Sequence, residues 1–273
     1  MTGYIAIALI LVMAGIFVKL INFQYGYPNM ETVLPTVALI LMLAVPIVTM
    51  KSFAEERHQK TDLLLYTLPL KTSQIVLGKY LAMMTVFAIP TVIMMFYPIV
   101  MSMYGTVSFL ATYTSILAFY LLCAAMVAIC MFMSSLTESQ IIAAVLGVTA
   151  LVVCYASTLL AGALPDTAIA SYIAFTVLIC LIALAVYYFV RNYWIAFTTA
   201  VVLEAGILIV YLSDNSIFAG LFQKFVTAIS IFDALNSFVT NQLVDMTVII
   251  YYLSIAFLFC FLTVQSVEKR RWS

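Results

Sequence analysis

Long apolar runs alternate with short polar breaks along the whole chain. Each run is close to the roughly 20 residues that a helix needs to cross a bilayer. The runs lack the strict alternation of apolar and polar residues that a membrane β-barrel would show. The pattern therefore predicts an all-α, polytopic membrane helix bundle that forms one domain over residues 1–273. The eight predicted spans are residues 3–22, 34–51, 73–104, 107–133, 140–162, 167–190, 193–212 and 245–266.

Two polar segments interrupt this pattern. Residues 51–73 contain a cluster of charged side chains between the second and third spans. Residues 214–244 carry apolar side chains at helical spacing, broken by Asp233, Asn236 and Asn241. The second segment is typical of one or two amphipathic helices that lie at the membrane surface, here on the extracytoplasmic side.

The distribution of basic residues predicts the orientation. Under the eight-span topology both termini lie on the same side of the membrane. Nine of the eleven basic residues fall on that side: Lys51, Arg57, Lys60, Lys71, Lys79, Arg191, Lys269, Arg270 and Arg271. Cytoplasmic loops carry such an excess, so we expect both termini and the 51–73 loop in the cytoplasm.

Composition supports a membrane protein. The chain is 66% hydrophobic and 8% charged, with a mean hydropathy of +1.21, outside the range of soluble domains. The net charge is zero, so it gives no reason to expect a nucleic acid partner. The five cysteines all lie in apolar runs and are odd in number, which favours packing residues over disulfides or metal ligands.

The sequence lacks the motifs of common catalytic sites. Gly78-Lys79 is followed by Tyr80 and has no upstream glycine, so it is not a phosphate-binding P-loop. His58 is the single histidine, which argues against a Ser-His-Asp triad or a histidine-rich metal site. We therefore expect a protein that is not an enzyme and that has no metal or other cofactor.

Glu204 is the acidic residue that lies inside a predicted span. A carboxylate in hydrocarbon is costly, so it should face the bundle, a cavity or a polar partner. Two interpretations remain open. The residue is either an intramembrane site for a substrate or a proton, or a neutral acid bonded to a hydroxyl of a neighbouring helix.

The 51–73 loop has signals for a short helix of its own. Thr61-Asp62 can cap it, Leu63 and Leu64 begin an apolar stretch, and Pro69 ends it. An apolar helix face on the cytoplasmic side favours binding of this helix in a groove of a partner protein. The alternative is a helix that packs only against its own bundle.

The sequence EERHQKTDLLLYTLPLKTSQIVLGKYLA resembles the signature loop of ABC-2 type transporter permeases. That pattern begins with acidic and basic residues, followed by Gly or Lys and then Thr. Glu or Asp and two leucines come next, and then Thr or Ser, any residue, Pro, and Leu or Val. It ends with Ile-Val-Leu-Gly-Lys. Residues 3–5, 232–238, 248–254 and 262–272 resemble the branch with gliding-motility and nitrous-oxide-cluster permeases. Such permeases usually have a basic amphipathic helix before the first span. This sequence begins at Met1-Thr2-Gly3 without one, so either a preceding segment exists or ATPase contact there is reduced.

The resemblance implies a permease of a bacterial cytoplasmic membrane that dimerises, with itself or a related chain, and pairs with cytoplasmic ABC ATPase subunits. It implies export of a hydrophobic or amphipathic substrate. It assigns coupling to the ATPase to Glu55, Glu56, Arg57, Thr61, Asp62, Leu63 and Leu64. Two alternatives remain: an ion-coupled secondary transporter that uses Glu204, and a membrane anchor for an ATPase that transports nothing.

Overall fold

The computed structural model describes residues 2–27, 29–61, 71–163, 165, 167–190, 193–213, 218–241 and 245–271. The regular structure in these ranges is helical, which confirms the predicted all-α class. The helices are α1 Thr2–Phe17, continued by a π-helix Val18–Gln24, α2 Val33–His58, α3 Thr72–Met94, α4 Tyr97–Ser102, α5 Phe109–Leu136, α6 Gln140–Ala163, α7 Ala168–Val190, α8 Tyr193–Ser213, α9 Leu221–Ile229, α10 Ile231–Asn241 and α11 Met246–Arg271.

Six helical segments in the described ranges are long and apolar enough to cross a membrane. They are Gly3–Gln24, Val33–His58, Thr72–Ser102, Phe109–Leu136, Gln140–Leu160 and Met246–Arg270. These segments confirm a polytopic bundle. Helices α7 and α8 contribute the shorter apolar segments Ala168–Cys180 and Phe197–Leu208, so the total of eight spans stays a prediction.

The chain forms two compact units. Unit 1 comprises Met1–Tyr155 and Ile231–Ser273, and unit 2 comprises Ala156–Ser230. The single domain predicted for residues 1–273 stays a prediction.

Helix α5 forms the centre of unit 1. It packs against α2, α3, α10 and α11, and every residue from 122 to 131 is buried. Ala124, Ala125 and Ala128 lie in this stretch. Small side chains let neighbouring helix backbones approach closely, which is how helices associate where lipid already solvates apolar groups.

The third predicted span is divided in two. Helix α3 ends at Met94, and α4 begins at Tyr97 with Pro98 in its first turn. Proline has no N–H to donate to residue 94, and its ring crowds that carbonyl group. The chain therefore leaves the regular helix at Met95–Phe96 and resumes it where proline is tolerated.

Aromatic side chains hold unit 2 together. The Phe175 ring on α7 lies 5.1 Å from the Phe222 ring and 5.9 Å from the Phe225 ring, both on α9. It also lies 6.3 Å from the Phe218 ring. These centroid distances are typical of favourable ring pairs, so they fix the short helix α9 against α7.

Helix α2 ends in a left-handed cap. Lys60 has a φ of 56°, and no other described non-glycine residue has a positive φ. Its N–H donates to the Arg57 carbonyl group at 3.0 Å, and the Thr61 N–H donates to the Glu56 carbonyl group at 2.9 Å. These two bonds satisfy carbonyl groups that the helix end would leave unpaired.

We predict that Lys60→Gly stabilises the protein. A non-glycine residue in the left-handed region costs about 1–2 kcal/mol, and glycine has no Cβ to create that cost. We expect the free energy of unfolding in mixed detergent micelles to rise by about 1 kcal/mol. Lys60→Ala is the control, since it removes the same charge and keeps the Cβ. An equal rise in both variants would show that the charge, and not the backbone, is responsible.

Candidate functional site

The end of α2 is joined to the end of α5 through a buried arginine. Arg57 is 7% exposed, and its Nη1 donates a hydrogen bond to the backbone carbonyl oxygen of Ser135. Ser135 is the penultimate residue of α5, so its carbonyl oxygen has no partner within the helix. The hydroxyl group of Ser266 on α11 donates to the same oxygen at 3.3 Å. Three helices thus meet at one carbonyl group.

Ser134 extends this junction along α2. Its side chain is buried, and its Oγ donates to the Met50 carbonyl oxygen at 3.2 Å. The same Oγ lies 3.2 Å from the backbone nitrogen of Ala54, from which it accepts a hydrogen bond. A serine is small enough to place its hydroxyl group directly against a neighbouring backbone, so α2 and α5 are in close contact over the last two turns of α2.

Lys79 joins α3 to the same end of α2. Its Nζ forms an ion pair with Glu56 and donates to the Ser52 carbonyl oxygen at 2.6 Å. The Nζ also lies 4.2 Å from the centroid of the Phe53 ring, a favourable cation–π distance. The two helices that flank the 59–71 connection are therefore bound to each other at their bases.

The structure gives the other predicted coupling residues different positions. Glu55 is half-buried and accepts a hydrogen bond from the Gln59 side chain at 3.4 Å. Thr61 is exposed, and its hydroxyl group donates to the Glu56 carbonyl oxygen at 3.2 Å. The remaining three lie outside the described residues: Asp62, Leu63 and Leu64. Their coupling role stays a prediction.

Sequence reasoning did not assign roles to Lys79, Ser134, Ser135 or Ser266. One signal for Lys79 was present, because it falls inside the predicted span 73–104, where a charged side chain needs a partner. The three serines gave no such signal. Each of these serines contributes through a hydrogen bond that involves a backbone group. Serines are also common in apolar segments, so they do not stand out in the sequence.

A groove lies between the ends of α5 and α11. Its volume is about 660 Å³. Its apolar wall and charged rim are formed by Phe132, Leu136, Leu262, Gln265, Ser266, Lys269 and Arg270. Arg270 also pairs with Glu138 at 3.0 Å. This groove is at the same end of unit 1 as the Arg57–Ser135 contact, because Ser266 belongs to both.

Glu204 lies in unit 2 and contacts the neighbouring helix. Its Oε1 accepts hydrogen bonds from the Tyr172 hydroxyl group at 2.8 Å and from the Thr176 hydroxyl group at 3.0 Å, both on α7. The Tyr172 ring lies 4.9 Å from the Tyr211 ring on α8. The carboxyl group therefore bridges α7 and α8. Both interpretations of Glu204, a site for a substrate or proton and a structural contact, are compatible with this geometry.

Metal-ligating residues do not cluster in the described ranges. There, no group of three or more His, Cys, Asp and Glu side chains is placed to hold a metal ion. The buried cysteines of unit 1 are free thiols, with Cys123 and Cys130 in the centre of α5.

The family model described as ABC-2 family transporter protein matches residues 2–196, so the chain belongs to the ABC-2 transporter family. It is accordingly a multi-pass membrane protein and a permease of an ABC transporter. Such permeases are typically non-catalytic subunits.

The family match covers part of what the sequence suggested. It includes the 51–73 loop and its contacts with α5. Glu204 and the similar segments at 232–238, 248–254 and 262–272 lie beyond it, so the resemblance there stays a prediction. No curated protein and no solved structure matches the chain.

We predict that Arg57→Ala lowers the free energy of unfolding by about 2 kcal/mol, because it removes a charged hydrogen bond to a buried carbonyl group. Arg270→Ala is the matched control, since its pair with Glu138 is exposed and should contribute less than about 1 kcal/mol. Denaturant unfolding in mixed micelles measures both changes. Equal losses of unfolding free energy in the two variants would mean that the buried Arg57 contact contributes no more to stability than an exposed ion pair.

Proposed function

We propose that the protein is the membrane subunit of an ATP-driven exporter in a bacterial cytoplasmic membrane. Two permease chains form the translocation unit, as a homodimer or a heterodimer, and ATP is hydrolysed on separate cytoplasmic ABC ATPase subunits. The 51–73 loop docks into the ATPase, with the side chains of 55–57 and 61–64 in the coupling role. The family match supports the permease class.

One observation carries the coupling role most directly: both helices that flank the loop are anchored at their bases. Arg57 binds the end of α5, and Lys79 binds Glu56 across the base of the loop. A docking element transmits movement only when its ends are joined to rigid elements. A displacement of the loop would therefore move α2, α3 and α5 instead of being absorbed by local bending.

The proposed substrate class follows from the character of the spans. The candidate spans Phe109–Leu136 and Gln140–Leu160 contain no Asp, Glu, Lys or Arg, and Gly3–Gln24 contains only Lys19. Such helices offer few partners for a strongly charged substrate. A hydrophobic or amphipathic molecule, moved between the two chains of the dimer, fits this surface better.

A second candidate function rests on Glu204. A carboxyl group with two hydroxyl donors, Tyr172 and Thr176, is a reasonable proton-binding site in a membrane. This would favour a secondary transporter driven by an ion gradient. A third candidate is a membrane anchor that holds an ATPase and transports nothing.

We predict that replacing Asp62, Leu63 and Leu64 together with alanine releases the ATPase. The permease is purified in mild detergent, and the co-purified ABC ATPase is quantified by mass spectrometry and by ATP hydrolysis. We expect at least a tenfold loss of bound ATPase, equivalent to about 1.4 kcal/mol of binding free energy. The matched control is Leu164→Ala with Asp166→Ala, which changes similar residues in a loop predicted on the other side.

The result separates the candidates. Unchanged co-purification in the triple variant would refute the coupling assignment. Absence of any ABC ATPase from the unmodified protein would refute the proposed function. If an ABC ATPase binds the permease and hydrolyses ATP, but no substrate is transported in proteoliposomes, the membrane-anchor alternative is favoured.

We predict that Glu204→Gln leaves ATP-driven transport intact, since glutamine still accepts hydrogen bonds from Tyr172 and Thr176 but cannot exchange a proton. Substrate movement is measured in proteoliposomes with ATP, with and without a protonophore. Tyr172→Phe is the control, because it removes one donor and keeps the carboxyl group. Loss of transport in Glu204→Gln alone, together with sensitivity to the protonophore, would favour the ion-coupled alternative.

A further inference from the structure

The groove between the ends of α5 and α11 changes from apolar to basic along its length. On α11 its lining residues follow one another at helical spacing, so they share one face of that helix. They are Leu262, Gln265, Ser266, Lys269 and Arg270. The apolar residue is nearest the middle of the candidate span Met246–Arg270, and the two basic residues are at its end. The groove therefore offers apolar contacts at one end and positive charge at the other.

Helix α5 forms the second wall of the groove. Phe132 is half-buried and Leu136 is 45% exposed, and their spacing of four residues places them on the same face of α5. The Phe132 ring lies 5.8 Å from the Phe259 ring on α11. Arg270 on α11 pairs with Glu138, just after α5, at 3.0 Å. Contacts at its apolar end and at its basic end thus hold the two walls of the groove together.

The length of the groove matches the boundary of a bilayer. A helix rises about 1.5 Å per residue, so Leu262 and Lys269 are about 10 Å apart along α11. The headgroup region on each side of a bilayer is roughly 5–8 Å thick. Leu262 is therefore placed to contact acyl chains when Lys269 is at the level of the phosphate groups. A soluble protein would meet the basic rim, whereas the apolar wall belongs to the spanning segments.

The rim of the groove has a surplus of positive charge. Lys269 is exposed and forms no ion pair with any residue that the structure describes. Glu138 pairs with Arg270, and Glu268 is not among the residues that line the groove. Gln265 is exposed as well, and its amide N–H groups can donate to phosphate oxygen atoms. This rim complements an anionic headgroup better than a zwitterionic one, which would bring its own cation.

We propose that the groove binds an anionic phospholipid from the leaflet on the side of the 51–73 loop. Its phosphate group lies against Lys269 and Gln265. One of its acyl chains lies against Phe132, Leu136 and Leu262. The predicted orientation makes this the cytoplasmic leaflet, which is the leaflet whose anionic lipids attract basic residues. The site does not depend on coupling to an ATPase.

The first experiment titrates the full chain in mild detergent with dioleoyl phosphatidylglycerol or with dioleoyl phosphatidylcholine. The two lipids have the same acyl chains, but only the first has a net negative charge. Native mass spectrometry gives the dissociation constant of the first bound lipid. We expect phosphatidylglycerol to bind at least about tenfold more tightly, since each basic residue at the rim favours an anionic lipid. Equal affinities would overturn the proposal, and because no ATPase is present they would leave the proposed function untouched.

A matched pair of charge variants locates the lipid. Lys269→Gln removes a charge from the groove, whereas Lys71→Gln removes an exposed charge beside the 51–73 loop and outside the groove. We expect the affinity for phosphatidylglycerol to fall about fivefold in Lys269→Gln, with less than about a twofold change in Lys71→Gln. Equal losses in the two variants would indicate a general attraction to basic surface and would reject the groove.

Two tryptophan variants on α5 test the apolar wall. Leu136→Trp fills the groove and keeps its charges, whereas Leu117→Trp enlarges a side chain of similar exposure, 44%, outside the groove. Only Leu136→Trp should weaken phosphatidylglycerol binding, by at least about fivefold, because the indole ring occupies the volume of the acyl chain. Equal affinities in the two variants would reject the lipid and favour a protein partner at the rim. If Leu136→Trp does not fold, the lipid comparison and the charge variants still decide.

A competition experiment separates the lipid from its headgroup. Glycerol 3-phosphate carries the phosphate group without acyl chains. At millimolar concentration it should leave phosphatidylglycerol bound, because it cannot replace the apolar contacts. Displacement of the lipid would assign the rim to a soluble phosphate and would overturn the phospholipid as the occupant.

Discussion

The hydrogen bond from the Arg57 guanidinium group to the Ser135 carbonyl oxygen is the contact on which one end of unit 1 depends. The carbonyl groups at a helix C-terminus carry partial negative charge and lack partners within the helix. A buried guanidinium group needs such acceptors, because an uncompensated charge away from water is strongly unfavourable. The Arg57 Nη1 and the Ser135 carbonyl oxygen each supply the other with a hydrogen-bond partner. Since α5 is the centre of the core, this bond attaches α2 to the most extensively buried of the six candidate spans.

The two attachments of α2 differ in strength. Arg57 is buried, whereas the side chains of Lys79 and Glu56 are 19% and 32% exposed. Solvent weakens an ion pair and salt screens it. Helix α3 is attached to α5 as well, because the Tyr80 hydroxyl group donates to the Ala124 carbonyl oxygen at 3.2 Å. In the proposed coupling role, we therefore expect α2, α3 and α5 to move together, with the buried Arg57 contact as the firmest link at the base of the loop.

The sequence was sufficient for the fold class, but not for the contacts at the base of the 51–73 loop. Apolar runs of the length of a bilayer predict helices with few alternatives, and Pro98 accounts for the break between α3 and α4. The pattern that the loop resembles has Gly or Lys before the threonine, and the positive φ of Lys60 is a conformation that glycine adopts without strain. The acceptor for Arg57 could not be predicted, because it is a backbone carbonyl oxygen 78 residues away. Side-chain patterns do not encode such partners.

The polar contacts at the two ends of unit 1 have different consequences for function. Lipid is as apolar as leucine, so burial of apolar surface does little to decide which helices of a bundle move together, and polar contacts carry more of that decision. At the loop end, Arg57 and Lys79 each donate to a backbone carbonyl group of a neighbouring helix, and Lys79 also pairs with Glu56. These contacts join helices. At the opposite end, the Asn22 amide group donates to the Tyr27 and Asn29 carbonyl oxygens, which fixes the turn after the π-helix. The first arrangement suits transmission of movement between helices, and the second holds one local segment of backbone in place.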